Sequence, residues 1–332
     1  MISFQEYNEG DYIRTAEGLF FAVKGSRHPD SMVIAYLRYI PDEEGDRVLD
    51  GVRYRRVSDP DETTEYLRLR HPQYLNHVPM LGLTLQTVPL KRIERMYDPR
   101  ERLGHVLQKP QPGLEATVKR LVEALSNGSG VPTRSFGVSG SLLIGLNREG
   151  SDVDLNVYGA DEGRSVYKAL RLLRSRKGWV QPYDAETVKE VLLRRWGKAG
   201  VDLDALAEVE VRKVLHGRVD GRDYFIRLLR PEPDAAPSAP VGEAVFRARV
   251  TDSSCSIFTP CSYQLGMLEP VEPEGLGQVS EAVSYRGKFT EQALAGERVE
   301  IRGTLEKVRG PDGRLRVVLG GARDYMIPLE PP

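Results

Sequence analysis

Hydrophobic positions follow three different patterns along the chain. Near the start, Leu19-Phe20-Phe21-Ala22-Val23, Met32-Val33-Ile34-Ala35-Tyr36-Leu37 and Val52-Arg53-Tyr54-Arg55-Arg56-Val57 are short β-branched or aromatic runs. Gly25, Pro29 and Asp50-Gly51 bound them, so they predict strands of a small antiparallel sheet. The stretch from Lys91 to Arg102 begins with a helical look, and Pro99 predicts a break in it.

Lys109-Pro110-Gln111-Pro112-Gly113 reads as a linker. Beyond it, Leu114, Val118, Leu121, Val122 and Leu125 recur at helical spacing, and Ser126 to Gly130 closes that helix. Strand and helix patterns then alternate to about Pro233, which predicts an α/β domain. Pro231 to Pro240 is rich in proline and reads as an extended spacer. The last segment alternates as strands do. Val299 to Val308 leads to a hairpin turn at Pro311-Asp312-Gly313, and Leu315 to Leu319 returns from it. The expected organisation is an N-terminal α+β domain over 1–108, a mixed-sheet α/β core over 109–232, a linker over 233–240 and a β-rich domain over 241–332.

A chain of 332 residues exceeds the ~250–300 residues at which a single core stops growing, which agrees with several domains. No apolar run approaches the ~18 residues of a membrane helix, and Met1 to Gly10 is too polar for a signal peptide. A cytoplasmic protein without membrane contact is expected. The 47 basic and 48 acidic residues nearly cancel, which excludes a uniformly basic nucleic-acid coat and leaves a local basic surface open. Cys255 and Cys261 are expected as free thiols, and no histidine has zinc-ligand spacing.

Chemistry concentrates between Phe136 and Gly159. A strand ends in Gly140-Ser141, where glycine lets a phosphate approach the backbone and serine adds a hydroxyl donor. A second strand, from Val153 to Tyr158, follows Ser151-Asp152 and carries Asp154. Period two places the Asp152 and Asp154 carboxylates on one face, where they repel unless a cation lies between them. Magnesium, completed by substrate phosphates, is the natural ion.

Gly-Ser, then Gly, then Ser-Asp-x-Asp before apolar residues resembles the signature of the DNA polymerase beta-like nucleotidyltransferase superfamily. The whole layout also resembles an archaeal group of predicted nucleotidyltransferases with flanking domains. The close match covers residues 134–159. It implies a nucleotidyltransferase-type mixed sheet, nucleotide-phosphate holding by Gly140, Ser141 and Ser151, and binding of Mg2+ or Mn2+ by Asp152 and Asp154. It implies transfer of a nucleoside monophosphate from a nucleoside triphosphate to an acceptor hydroxyl. RNA is the preferred acceptor, with protein and small molecules open.

The family also places a third carboxylate on a later strand. Analogy puts it at Phe225, which is not an acid. Asp223 shares the face of Phe225 and Arg227 and is the catalytic candidate in its place. Asp202 and Asp204 read better as helix-capping residues. Without a third acid, the alternative is a nucleotide- or nucleic-acid-binding protein with weak or no catalysis.

Arg53-Tyr54-Arg55-Arg56 interleaves basic and aromatic residues as RNA-binding strands do, although a strand with one exposed face also explains it. Trp196 reads as core rather than as a base-stacking platform. Gly296 to Gly303 resembles an oligonucleotide/oligosaccharide-binding (OB) barrel, with Tyr263, Tyr285, Arg286 and Phe289 as stacking or core residues.

Overall fold

In a computed structural model the chain is mixed α/β and divides into two compact units, 1–162 and 163–332. The structure describes residues 6–79, 81–175, 178–231, 238–267, 269, 279–309 and 314–329.

The first unit opens with strands β1 (Tyr12–Thr15), β2 (Phe20–Val23), β3 (Met32–Pro41), β4 (Arg47–Leu49) and β5 (Val52–Arg56). Helix α1 (Pro60–Arg70) follows, then β6 (Leu75–Val78), β7 (Leu83–Pro89) and β8 (Ile93–Tyr97). These eight strands make one sheet, ordered β4-β5-β3-β2-β1-β8, with β7 paired to β3 and β6 to β7. The pairings are antiparallel, as the runs predicted.

Lys91 to Arg102 corrects the sequence reading. Ile93–Tyr97 is strand β8, and Pro99 starts helix α2 (Pro99–Gln108) instead of breaking one. The Asp98 side chain caps α2 by accepting from the Arg100 and Glu101 amides, and proline suits the first helical turn because it has no amide to satisfy. Helix α3 (Leu114–Ser129) buries the predicted stripe and ends at Gly130 in the left-handed region. Strand β9 (Phe136–Val138), the short helix α4 (Gly140–Leu143) and β10 (Val153–Tyr158) complete the unit, with β9 and β10 antiparallel.

The sheet and α4 share a core. Tyr12, Phe20, Tyr39 and Tyr54 pack with Leu143, Ile144 and Leu146. Burial of each such side chain contributes roughly 1.5–3 kcal/mol. The first compact unit therefore runs across the sequence boundary drawn at 108/109.

Helix α5 (Ala160–Ser175) continues the chain. The second unit then contains β11 (Val180–Gln181), α6 (Ala185–Trp196), α7 (Asp204–Arg212), β12 (His216–Val219) and β13 (Arg222–Leu229). Asp202 accepts from the Asp204 amide at 3.0 Å, but the N-cap of α7 is Leu203, which makes no side-chain cap, so neither Asp202 nor Asp204 is the capping residue expected. Strand β14 (Ser238–Asp252) takes up Ser238–Pro240, which the sequence reading placed in the linker. Residues 232–237 and the Pro311-Asp312-Gly313 turn lie outside the described residues. The remaining strands are β15 (Phe258–Thr259), β16 (Cys261–Met267), β17 (Val279–Ser284), β18 (Arg298–Val308), β19 (Leu315–Val318) and β20 (Tyr325–Pro328).

Strand β14 pairs with β16, β16 with β17, β17 with β19, β19 with β18, and β18 again with β14. The pairings close a five-strand circuit in which only β17–β19 is parallel. Its inward residues, including Phe246, Tyr263 and Ile301, share a core with Leu192, Trp196 and Leu206 of the helical segment. No helix among the described residues is long and apolar enough to cross a membrane. Cys255 and Cys261 are free thiols.

A charged pair lies inside the second unit. Lys213 Nζ donates to Glu210 Oε1 at 3.0 Å, Gln292 Oε1 at 2.9 Å and the Lys288 carbonyl at 2.6 Å. Glu210 also accepts from Arg195 at 2.8 Å and from the Trp196 indole at 3.2 Å. Removing one partner strands a buried charge, so Lys213→Met should cost about 3–5 kcal/mol in urea unfolding. The double change Glu210→Leu with Lys213→Met should cost less than the two single changes added. Additivity would show that the two groups do not act as a pair.

Candidate functional site

Strand β10 has two dissimilar faces. Val153, Leu155 and Val157 are buried in the core. Asp154, Asn156 and Tyr158 alternate with them, and Asp152 sits one step before the strand on the polar side. The β9–β10 register sets Leu155 opposite Val138, so the Gly-Ser turn that follows β9 lies beside Asp154.

Gly140 has φ +64°, a conformation suited to glycine. A Cβ on it would collide with Asp154 Oδ2. The carboxylate thus fills the space that any side chain at 140 would need. The Ser139 amide donates to the Asp154 carbonyl at 2.9 Å, and Ser139 Oγ donates to the Gly10 carbonyl at 2.9 Å. Ser141 is buried next to the turn.

Asp152 and Asp154 are half-buried. Among the described residues no group of three or more His, Cys, Asp or Glu is placed to hold a metal ion.

The N-terminal segment builds the surroundings. Gly10 lies against Asn156, where a Cβ would collide with its amide. Arg100 stacks on Tyr158 at 3.9 Å from the ring centre. Burial pushes the neighbouring Asp11 carboxyl up to about 7, against the lowering effect of the Asn8 amide that it accepts from. Arg47 Nη1 donates to the Leu146 carbonyl at 2.6 Å, and Arg148 pairs with Asp46 at 3.3 Å, which fixes the loop between the two motifs. Ser151 is part of that loop closure. Its Oγ accepts from the Arg148 amide at 2.9 Å and its amide donates to the Arg148 carbonyl at 3.0 Å.

Arg56 ends β5, and its guanidinium feels burial, which disfavours its charge, and then Tyr39, Asp154, Tyr12 and Asp152, which together hold its pKa above the ordinary value. The run Arg53-Tyr54-Arg55-Arg56 is a strand with an exposed face, one of the two readings of its sequence. Tyr54 is only 1% exposed, and Arg55 is paired with Asp42 at 2.8 Å and Glu62 at 2.9 Å. Tyr54 therefore offers no stacking face.

In the second unit, Asp223 stands opposite Arg218 on β12 and lies 3.9 Å from that guanidinium and 3.7 Å from Arg194. The Phe225 ring stacks on His216 with centroids 4.5 Å apart. His216 Nδ1 accepts from Arg195 at 2.8 Å and Nε2 donates to the Gly287 carbonyl at 3.2 Å, the assignment that the partners require. Burial, then Arg195 and Lys213, push its pKa well down, so it stays neutral. Trp196 is fully buried, as expected. Of the four barrel candidates, Tyr263 and Phe289 are core, Tyr285 is 38% exposed, and Arg286 donates to the Gly320 carbonyl at 2.9 Å.

Two predictions follow from this geometry. Gly140→Ala must displace Asp154 and adopt a strained φ, so it should lower stability by about 1 kcal/mol or more in chemical denaturation and move Asp154 in a crystal structure. An unmoved carboxylate would contradict the close approach. Asp11 has a folded pKa above its unfolded value near ~3.9, so its stabilising contribution is complete below that value and is lost as pH rises through about 7. Asp11→Asn should therefore gain stability over the wild type by up to roughly 4 kcal/mol between pH 4 and pH 8. Parallel pH–stability curves would refute this.

Comparison with known proteins gives one broad match. The chain is similar to an uncharacterized protein, MJ1086, of Methanocaldococcus jannaschii, with 26% identity over an alignment of 333 residues that covers 95% of each chain. No family model and no solved structure matches the chain.

Proposed function

We propose that this chain is a nucleotidyltransferase dependent on Mg2+ or Mn2+. The observation that carries the reading is the contact of the Gly140 turn with Asp154, which sets a glycine-serine turn against the strand that bears the acids. Asp152 and Asp154 would hold the ion. Gly140 and Ser141 would hold the phosphates of a nucleoside triphosphate. The bound ion supplies charge stabilisation for the attacking and leaving oxygens. The acceptor oxygen bonds to the α-phosphorus, the bond from that phosphorus to the bridging oxygen breaks, and pyrophosphate leaves with its electrons. The acceptor's proton passes to solvent.

RNA is the acceptor we favour. The five-strand circuit with its single parallel pair supports an OB-like barrel in the second unit, an architecture that suits oligonucleotides. Tyr285, 38% exposed, is the stacking candidate for such a strand.

A second reading, a nucleotide- or nucleic-acid-binding protein without transfer activity, is favoured by two observations. Asp223 already lies near two arginines, and an aromatic ring packed on a neutral histidine stands where the family has an acid.

Label transfer separates the two. The protein is incubated with each α-labelled nucleoside triphosphate, Mg2+ or Mn2+, and pooled RNA and protein. Transfer of label to an acceptor is expected, with a loss of at least about 100-fold in Asp154→Ala at an unchanged melting temperature. Calorimetric nucleotide binding without transfer would establish the binding protein. Transfer that survives in Asp154→Ala would sink the assignment of the pair.

A further inference from the structure

We propose that a cavity at the end of α5 takes an unpaired nucleobase of an RNA whose phosphates follow Lys168 and Arg171, an inference that rests on the RNA reading given above.

Four elements of the second unit build the cavity. Strands β11 and β12 pair antiparallel, with Val180 opposite Val219 and Gln181 opposite Arg218. The Asp220 amide donates to the Trp179 carbonyl at 2.9 Å and extends that ladder. Arg174, near the end of α5, donates to the His216 carbonyl at 2.9 Å and ties the helix to β12. Helix α6 starts after Asp184, whose side chain accepts from the Thr187 amide at 2.8 Å. Between these elements lies a cavity of about 590 Å³, the size of a small-molecule site. Its walls include Arg174, Trp179, Tyr183, Asp184, Arg218 and Asp220.

These walls describe a ligand. Two guanidiniums and two carboxylates cancel in charge, so they offer donors and acceptors without preferring an ion of either sign. The half-buried Trp179 adds an aromatic ring. A nucleobase is neutral and flat and carries donors and acceptors on its edge, and aromatic rings stack on any base. A base held in a duplex has that edge already paired.

The positive charge lies beside the cavity. Arg171 comes one turn before Arg174 on α5, and Lys168 one turn before Arg171. Both are exposed, and neither has a hydrogen bond or ion pair among the described residues. Arg164, earlier on the same helix, is engaged: it donates to the Ser254 carbonyl at 3.2 Å and lies over the Phe258 ring. A free mononucleotide has phosphate at one place only. Cations that continue along the helix away from the cavity suit a strand, which brings a phosphate with each nucleotide.

The test uses the full chain and a single-stranded RNA of mixed sequence, about 12 nucleotides long. Binding is followed by anisotropy of fluorescein-labelled RNA between roughly 50 and 200 mM salt. Unlabelled RNA is used to follow tryptophan fluorescence. The chain has two tryptophans and Trp196 is fully buried, so quenching reports on Trp179. RNA should quench the wild type, and Trp179→Phe should lose that quenching. A duplex of the same length should not quench. Lys168→Gln with Arg171→Gln should weaken binding about 10-fold or more and lower the slope of log affinity against log salt by about 1.4, for two phosphate contacts. Trp179→Ala should weaken binding about fivefold or more and leave that slope unchanged.

RNA binding with no quenching and an unchanged salt slope in the double variant would overturn the proposal and leave the RNA reading standing. Displacement of the RNA by an equal concentration of nucleoside monophosphates would make the cavity a mononucleotide site, which also overturns it. If the wild type binds no RNA, the RNA reading falls and the proposal falls with it.

Discussion

The Asp154 carboxylate lies in the volume that a side chain at position 140 would need, so the turn and strand β10 can meet this closely only because residue 140 is glycine. The strand bearing Asp154 is pinned by its apolar face, with Val153, Leu155 and Val157 in the core. Its polar face must then be covered or used. At Asn156 and Tyr158 it is covered, by Gly10 and Arg100. At Asp152 and Asp154 it borders the turn. Ser139 ties these arrangements together, since its amide holds the Asp154 carbonyl and its hydroxyl holds Gly10. Covering and exposure along one strand thus separate its structural half from its chemical half.

The N-terminal sheet acquires a different meaning in this light. Read as a sequence, it is a flanking domain that would choose an acceptor. Packed on Leu143, Ile144 and Leu146, it forms a wall of the same compact unit as the Asp pair. Arg47 and Asp46 hold the loop between the two motifs from the sheet side. A perturbation in β4 or β5 is therefore expected to reach the turn through packed side chains.

Local patterns were legible wherever one residue type has one strong preference. The strand runs, the helix stripe over Leu114 to Leu125 and the acids at Asp152 and Asp154 depend on periodicity alone, and the structure retains those elements. Proline was misread at Pro99 because the same ring that breaks a helix interior is at home in a first turn, and only the Asp98 cap decides between them. The run Arg53-Tyr54-Arg55-Arg56 had two readings, and the strand with an exposed face is the one observed, with Tyr54 turned into the core. Ser151 likewise looked like a phosphate donor from its place before Asp152, yet its hydroxyl closes the loop to Arg148.

A site with two carboxylates has a consequence for how it would work. Two side chains supply few of the roughly six oxygens that magnesium prefers, so water or substrate must supply the rest. On the proposed reading, phosphate oxygens at the Gly140 turn would do so, and ion and nucleotide would then be mutually dependent. Such coupling is reciprocal, because whatever factor the ion adds to nucleotide affinity the nucleotide adds to ion affinity. On that reading, a Gly-Ser turn next to paired acids would act as one recognition unit rather than two adjoining motifs.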